Sequence, residues 1–352
     1  MAVEPQAGPA REAERPRHER LGLTREDLLG MHRAMLGMRM SSERMMQLNR
    51  MGRSPFVAGS DGHEAAEVGA GWCIERGVDW ALPYYRDLGV MLALGMSMVD
   101  EFRAVFGKAT EPSTAGRQIL NQFCYPELRV FTNSICVGTQ FPHAVGIALA
   151  GRLRGERYRT WVFGGDASTS PGDWHEAMNF ASIHKLPVVF VIENNTLAIS
   201  TTIEKQMAIP DVVVRAAAYG MRGFLADGMD VLDTYEKCRA AAEHVGVAGN
   251  GPVLVELKCY RYQPHTSDDD DSKYRSKETV ASWRARDPLD RSRTYLLANG
   301  ATADELDAMR AAVATEIEAA IEQAEGEPDP SPATALRHVY AEDRPLPSGT
   351  RA

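Results

Sequence analysis

The sequence predicts an α/β fold built on a doubly wound parallel sheet, and two stretches carry that prediction. In the first, an apolar run (161–163) breaks on Gly164-Gly165-Asp166-Ala167. A helical segment follows, Pro187 punctuates, and a second apolar run (188–192) ends on Glu193-Asn194-Asn195. Strand, helix, strand in that order requires a parallel pair with a right-handed crossover. In the second, a strand-like turn (223–228), a helix (231–247) and a buried strand (252–258) repeat the rhythm. At 352 residues and 44% apolar, the chain can bury a core of that size.

The elements follow in order. Residues 1–20 are rich in Pro, Glu, Arg and Ala and have little to bury, so they read as a disordered lead-in. Thr24 caps a helix over 24–48 whose Leu28, Met31, Met35, Met38, Met45 and Met46 share one side. Such a methionine face is either gap-filling core or an adaptable partner surface. A loop at 59–62 precedes a small-residue helix (63–72), where His63 and Glu64 are either catalytic or, for the acid, simply suited to a helix start. A polar loop (108–122) and a mixed segment (123–134) lead to a helix at 141–153, with Ala144, Gly146, Ala148 and Ala150 allowing close approach. In the central unit Asp173 stands as N-cap to a helix with Trp174, Ala177, Met178 and Ala181 at helical spacing. Residues 201–210 read as loop and 212–219 as helix. In the helix at 231–247, Cys238, Ala241, Ala242 and Val245 alternate with charges. Beyond Pro288 come helices at 289–298 and 302–325. The second carries Leu306, Met309, Val313, Ile317, Ala320 and Ile321 on one side, fit for the sheet or for a subunit contact. The tail docks only around 336–340. The plan is a lead-in (1–20), an α/β domain (21–290) and a helical extension with tail (291–345), without internal repeat or linker.

Bulk properties narrow the class. A net charge of −9 argues against a nucleic-acid or anionic-membrane surface. No apolar run reaches spanning length, and the start lacks a signal-peptide core. Five scattered cysteines suit reduced thiols in a cytoplasmic protein rather than a structural zinc site.

The chemistry gathers at the strand ends. Asp166 and Asn195 sit just past the carboxyl ends of two parallel strands, where open α/β sheets bind ligands. A carboxylate (Asp166), an amide oxygen (Asn195) and a carbonyl (Leu197) make a hard oxygen set suited to magnesium and a diphosphate. The Gly165-Asp166-Ala167-Ser168 turn can offer bare N–H groups to the phosphates. A Gly-Asp turn alone is also what a tight strand exit with an N-cap looks like. Adjacent Tyr85 and Arg86 can hold an anionic oxygen with a phenol and a guanidinium. Alternatively, they form a surface turn with Arg86 paired to Asp87. His265 titrates near neutrality and can move protons. Asp268 to Asp271 form either a solvated run or a loop ordered by Lys273, Arg275 or Arg261.

Gly-Asp-x followed by Asn-Asn at this spacing resembles the thiamine-diphosphate motif. GHEAAEVG (62–69), PYYRDLGV (83–90), GRQ (116–118), GTQFPHAVG (138–146), DGMDV (227–231) and YRYQPHTSDDDDSKYRS (260–276) narrow the resemblance. They point to the alpha subunit of the 2-oxo-acid dehydrogenases, branched-chain members above all. The resemblance implies the thiamine-diphosphate-binding fold, thiamine diphosphate with Mg2+ at Asp166, Asn195 and Leu197, and cofactor contacts from Tyr85, Arg86, Val137, Gly165, Asp166, Ala167, Ser168, Asn195 and His265. His265 is also the implied catalytic residue. A potassium ion is implied at Ser134, Cys136, Thr139 and Gln140. Implied partners are a beta subunit in an α2β2 assembly, which supplies the carboxylate for the aminopyrimidine ring, a lipoyl-bearing acyltransferase, and a 2-oxo-acid substrate. Thr266 stands where some relatives are phosphorylated, and phosphate beside Asp268 to Asp271 would repel and disorder the loop.

Departures qualify the implied reaction. Ala167 replaces a glycine, Pro171 a glutamate and Cys136 a proline. Gln122 takes the place of an active-site histidine, and glutamine cannot transfer a proton at neutral pH. Three readings follow: the dehydrogenase subunit; a related thiamine-diphosphate enzyme such as acetoin dehydrogenase or a decarboxylase or carboligase; and a degenerate, non-catalytic subunit.

Overall fold

In the computed structural model, which describes residues 15–337, the chain opens with a short helix α1 (Arg17–Arg20). The expected disorder of 1–14 lies outside the described residues. For 15–20 the expectation is corrected: Arg17 pairs with Asp230, Asp233 and Glu236 at 3.1–3.2 Å, and buried His18 meets the Tyr295 hydroxyl at 3.0 Å. Composition hid this because every partner lies far along the chain.

Helix α2 (Arg25–Arg50) starts from a capping box between Thr24 and Asp27. Met31, Met35, Met38 and Met45 are fully buried, so the methionine side is core. Then come α3 (Glu64–Gly71), a short strand β1 (Trp80–Leu82), α4 (Leu88–Leu94) and α5 (Met98–Val105). Helix α6 (Gln140–Arg154) buries Ala144 and Ala148, whereas Gly146 faces open space and makes no close approach. The central unit is β2 (Thr160–Gly165), α7 (Gly172–Ile183) and β3 (Val188–Asn194). Pro171, not Asp173, is the N-cap of α7; the proline's fixed backbone ends the preceding turn, and Asp173 sits exposed in the first helical turn.

Residues 201–210 are not plain loop. A two-residue hairpin, β4 (Leu197–Ala198) with β5 (Thr201–Thr202), runs into a one-turn helix α8 (Ile203–Gln206). The chain continues through a 3-10 helix (Val212–Tyr219), β6 (Arg222–Asp227), α9 (Val231–Gly246) and β7 (Val253–Lys258). It closes with α10 (Lys277–Arg284), α11 (Pro288–Ala298) and α12 (Ala303–Glu325). Helix α12 packs on α2 and α5, so its apolar side is covered within the chain by helices rather than by the sheet. Leu336 is 86% exposed and does not dock; residues 338–340 lie outside the described residues.

The main sheet is fully parallel in the order β1-β2-β3-β7-β6, as a doubly wound fold requires. Alternate residues feed opposite layers. Trp161, Phe163, Val189 and Val191 face the core shared with α2, α3 and α9, while Val162, Phe190 and Ile192 face Phe141 of α6 and Trp174 of α7. Gly165 pairs with Glu193 across β2 and β3, so Asp166 and the Asn194-Asn195 pair leave adjacent strands at one level. That register positions the site.

Candidate functional site

A cavity of about 360 Å³ opens at the carboxyl ends of β2 and β3. Tyr85, Arg86, Val137, Gly165, Asp166, Ala167, Ser168, Asn195, Leu197 and His265 all line it, with Gln122 and Thr266. Segments from every quarter of the chain thus meet at the sheet's carboxyl edge. The volume falls in the range of small-molecule sites.

Asp166 enters from the turn after β2 and is almost wholly buried. Burial pushes its carboxyl above the ordinary range, while the Gln206 amide, at 2.8 Å from Oδ2, and the Asn195 backbone N–H pull it back. Asn195 leaves β3, and its Oδ1 accepts from the Leu197 backbone N–H at 3.2 Å. Two hard oxygen donors from adjacent strand ends therefore share one cavity, the donor chemistry a small divalent cation takes.

Positive charge lies beside them. Arg86 is buried, donates to the Gly59 carbonyl, and makes no ion pair among the described residues. It does not pair with Asp87, which is buried and accepts from the Tyr84 backbone N–H at 2.7 Å. Arg261, also fully buried, donates to the Ile199 carbonyl at 3.2 Å, and its Nε has no partner among the described residues. Burial and then Arg86 push its guanidinium down to about 10. Neither buried guanidinium makes an ion pair among the described residues, so both keep donor capacity that an anionic ligand would take up. Arg261 figured in the sequence only as a partner for Asp268 to Asp271; its place just past β7, where Arg86 and His265 converge, is the feature that marks it.

His265 reaches the cavity from the loop after β7. Its ring meets Tyr85 edge-on with centroids 6.2 Å apart, and its backbone N–H donates to Asp269 at 2.8 Å. Asp271 binds Arg275, and Asp270 lies 3.4 Å from Lys273. Arg275 also donates to the carbonyls of Tyr262 and Gln263, so the acidic run is ordered, with Arg261 taking no direct part. Thr266 faces the cavity, and Ser267 is pinned to the Val57 backbone.

The set expected for potassium gathers on the turn entering α6 without reaching the cavity lining. Ser134 Oγ accepts from the Cys136 N–H at 3.1 Å and Thr139 Oγ1 donates to the Cys136 carbonyl at 3.1 Å. Buried Gln140 bonds the Gly138 N–H and the Phe163 carbonyl, each at 3.0 Å.

Tyr84 also lines the cavity, and it links the wall to a buried group that the sequence did not bring together. Glu67, Tyr84, Asp87 and Glu193 are buried with His63. Burial, then the Glu193 charge, pushes the Glu67 and Asp87 carboxyls well above the ordinary range. Their signal was an acid inside an apolar element: Glu67 in a small-residue helix and Glu193 ending an apolar strand. Glu64, weighed as catalytic, is committed instead to Arg39 and the Gly62 N–H.

The profile of the dehydrogenase E1 component family matches residues 32–333. The 2-oxoisovalerate dehydrogenase subunit alpha of Bacillus subtilis (strain 168) is 44% identical over 326 residues, covering 92% of this chain and 98% of that one. The 3-methyl-2-oxobutanoate dehydrogenase subunit alpha of Mycobacterium tuberculosis (strain ATCC 25618 / H37Rv) is 37% identical over 334 residues, 95% of this chain and 87% of that one. The pyruvate dehydrogenase E1 component subunit alpha of Staphylococcus aureus (strain N315) is 35% identical over 326 residues, 92% and 84%.

Proposed function

The chain belongs to the dehydrogenase E1 component family, and on that footing we propose that it is the alpha subunit of a branched-chain 2-oxo-acid dehydrogenase that holds thiamine diphosphate through Mg2+. The observation that carries the cofactor half is the meeting of Asp166 and Asn195 oxygens in one cavity with Arg86, which makes no ion pair among the described residues. The branched-chain preference rests on the names of two relatives.

When bound, thiamine diphosphate supplies a nucleophilic carbon and an electron sink for decarboxylation. The chain's own residues hold and shield it. Asp166, Asn195 and the Leu197 carbonyl would ligate the cation, Arg86 and the N–H groups of Ala167 and Ser168 would bind phosphate oxygens, and Tyr85 packs beside His265. His265 is the residue placed to take or give a proton. Ile119, Ile135, Val137 and Ile199 line the cavity yet are exposed, an apolar rim that suits a covering beta subunit. That subunit would supply the carboxylate for the aminopyrimidine, and a lipoyl acyltransferase would be the acyl acceptor.

Gln122 favours a second reading, a related thiamine-diphosphate enzyme in which that position transfers no proton. Co-expression with the beta subunit, calorimetry of thiamine diphosphate with and without Mg2+, and a screen of 2-oxo acids with a dye acceptor test both. The wild-type pair binds only with Mg2+, and Asp166→Ala abolishes binding. Unchanged affinity in that variant sinks the metal assignment. Turnover of branched-chain acids above pyruvate supports the first reading, and turnover with dye but never with a lipoyl acceptor supports the second.

A further inference from the structure

The Asn195 amide is gripped on its nitrogen side by a residue outside the cavity. Asn195 Nδ2 lies 3.2 Å from His63 Nε2, and His63 Nδ1 lies 2.7 Å from Glu193 Oε2. His63 and Glu193 have no exposed surface, so water does not substitute for either contact.

The direction of every hydrogen bond in this chain is set from one end. The Leu197 backbone N–H can only donate, and it points at Asn195 Oδ1. The nitrogen of that amide therefore faces His63, and an amide nitrogen also only donates. His63 Nε2 must accept, which places the imidazole proton on Nδ1, where it donates to Glu193. The Tyr84 hydroxyl donates to the same Glu193 oxygen at 3.1 Å.

We propose that His63 is a positioning residue that holds Asn195 with its amide oxygen, not its nitrogen, toward the divalent cation. This rests on the cation reading above. The two ends of an amide have nearly the same shape, and only the oxygen can ligate. A flipped Asn195 would set its oxygen against the lone pair of Nε2 and its NH2 against the Leu197 N–H. Two repulsions replace two hydrogen bonds, so the flip is closed off before the cation arrives. His63 does this because its two ring nitrogens lie on opposite sides and reach a donor and an acceptor at once. Its ring also lies near Glu67, with His63, Glu67 and Glu193 ligand atoms all within 4.8 Å of one another.

The test uses the full chain purified after co-expression with its beta subunit, with thiamine diphosphate as titrant at stepped Mg2+ concentrations in a calorimeter. His63→Leu cannot pair on either side. His63→Gln can accept from Asn195 and donate to Glu193, and His63→Asn is polar but too short to bridge both. The Mg2+ requirement is expected to rise about 10- to 100-fold in the Leu and Asn variants and to return close to wild type in the Gln variant, the cost typical of losing a residue that orients a metal ligand. Melting without cofactor separates this from misfolding; if the Leu variant does not fold, the Asn variant carries the comparison. An unchanged Mg2+ requirement in a folded Leu or Asn variant overturns the proposal, as does a Gln variant as weak as they are. A wild-type pair that binds thiamine diphosphate without regard to Mg2+ instead removes the cation reading, and this proposal falls with it.

Discussion

Arg86 stands 3.4 Å from both Nδ1 and the backbone carbonyl of His265. Burial, then the charges of Arg86 and Arg261, push the imidazole down to about 3, with Asp269 opposing. His265 is therefore neutral throughout the working range of the free chain, with Nδ1 facing the Arg86 guanidinium, and any proton it moves waits on a ligand that changes this setting.

A titration of the His265 ring by NMR is expected to show no midpoint between pH 5 and 8. Arg86→Met removes the nearest cation and moves the midpoint upward, toward but not reaching 6.5, because burial and Arg261 persist. A wild-type midpoint near 6.5 would mean that the ring is solvated and that the Arg86 contact does not form.

Glu101, in α5, is buried with both carboxylate oxygens unpartnered among the described residues. Burial, then Glu111, pushes it up from 4.5 to about 8. The unfolded chain releases this proton near 4.5 and the folded chain near 8, so the folded state binds more protons across that window. Its contribution is present below 4.5 and lost as pH rises to 8, with a slope of at most about 1.4 kcal/mol per pH unit. Glu101→Gln removes the slope. The variant and wild type are expected to melt together at pH 4 and to diverge steadily toward pH 8, the variant melting higher. Parallel curves across the range would show that the carboxyl is solvated.

Gly62 sets the path into α3 and so aims His63. Its φ is +97°, and a Cβ there would fall 2.0 Å from the Tyr260 carbonyl oxygen. No side chain can yield to relieve a backbone clash. Gly62→Ala is expected to cost at least about 1–3 kcal/mol from the strained φ alone, seen as a large drop in melting temperature. A variant that melts within a degree of wild type would refute the close approach.

The sheet and the cavity lining were legible because both are written locally. Alternating Val162 and Phe163 give the two faces, and Gly164 to Ala167 and Glu193 to Asn195 mark neighbouring strand ends. Motif resemblance then supplied Tyr85, Arg86 and His265. What escaped depends on distant partners. The helix at Arg17–Arg20 exists through Asp230, Asp233 and Glu236, and β1 is too short to announce itself between a helix and a turn. The His63–Glu193–Tyr84 group joins three elements, and each member alone reads as a helix start, a strand end or a turn. Pro171 displaced Asp173 as cap because helix starts are fixed by backbone angles as much as by side-chain oxygens.

Gln122 offers the clearest separation of stability from function. It lines the cavity at the sheet's carboxyl edge, is only 5% exposed, and leaves both its amide oxygen and nitrogen without a partner among the described residues. A buried polar group left unpaired costs about 1–3 kcal/mol, so the sequence keeps glutamine here at the expense of the free chain. Gln122→Leu, nearly equal in volume, is expected to raise the melting temperature of the chain without cofactor. If the amide bonds a substrate in the cavity, the same change lowers kcat/KM for the 2-oxo acid by about tenfold, the value of one hydrogen bond of about 1.4 kcal/mol. Gln122→His adds a group that can transfer a proton, and it is expected to raise transfer to a lipoyl acceptor relative to a dye. A Leu variant that is more stable and fully active would make Gln122 no more than a wall of the cavity, and the histidine it replaces would then be dispensable in this chain.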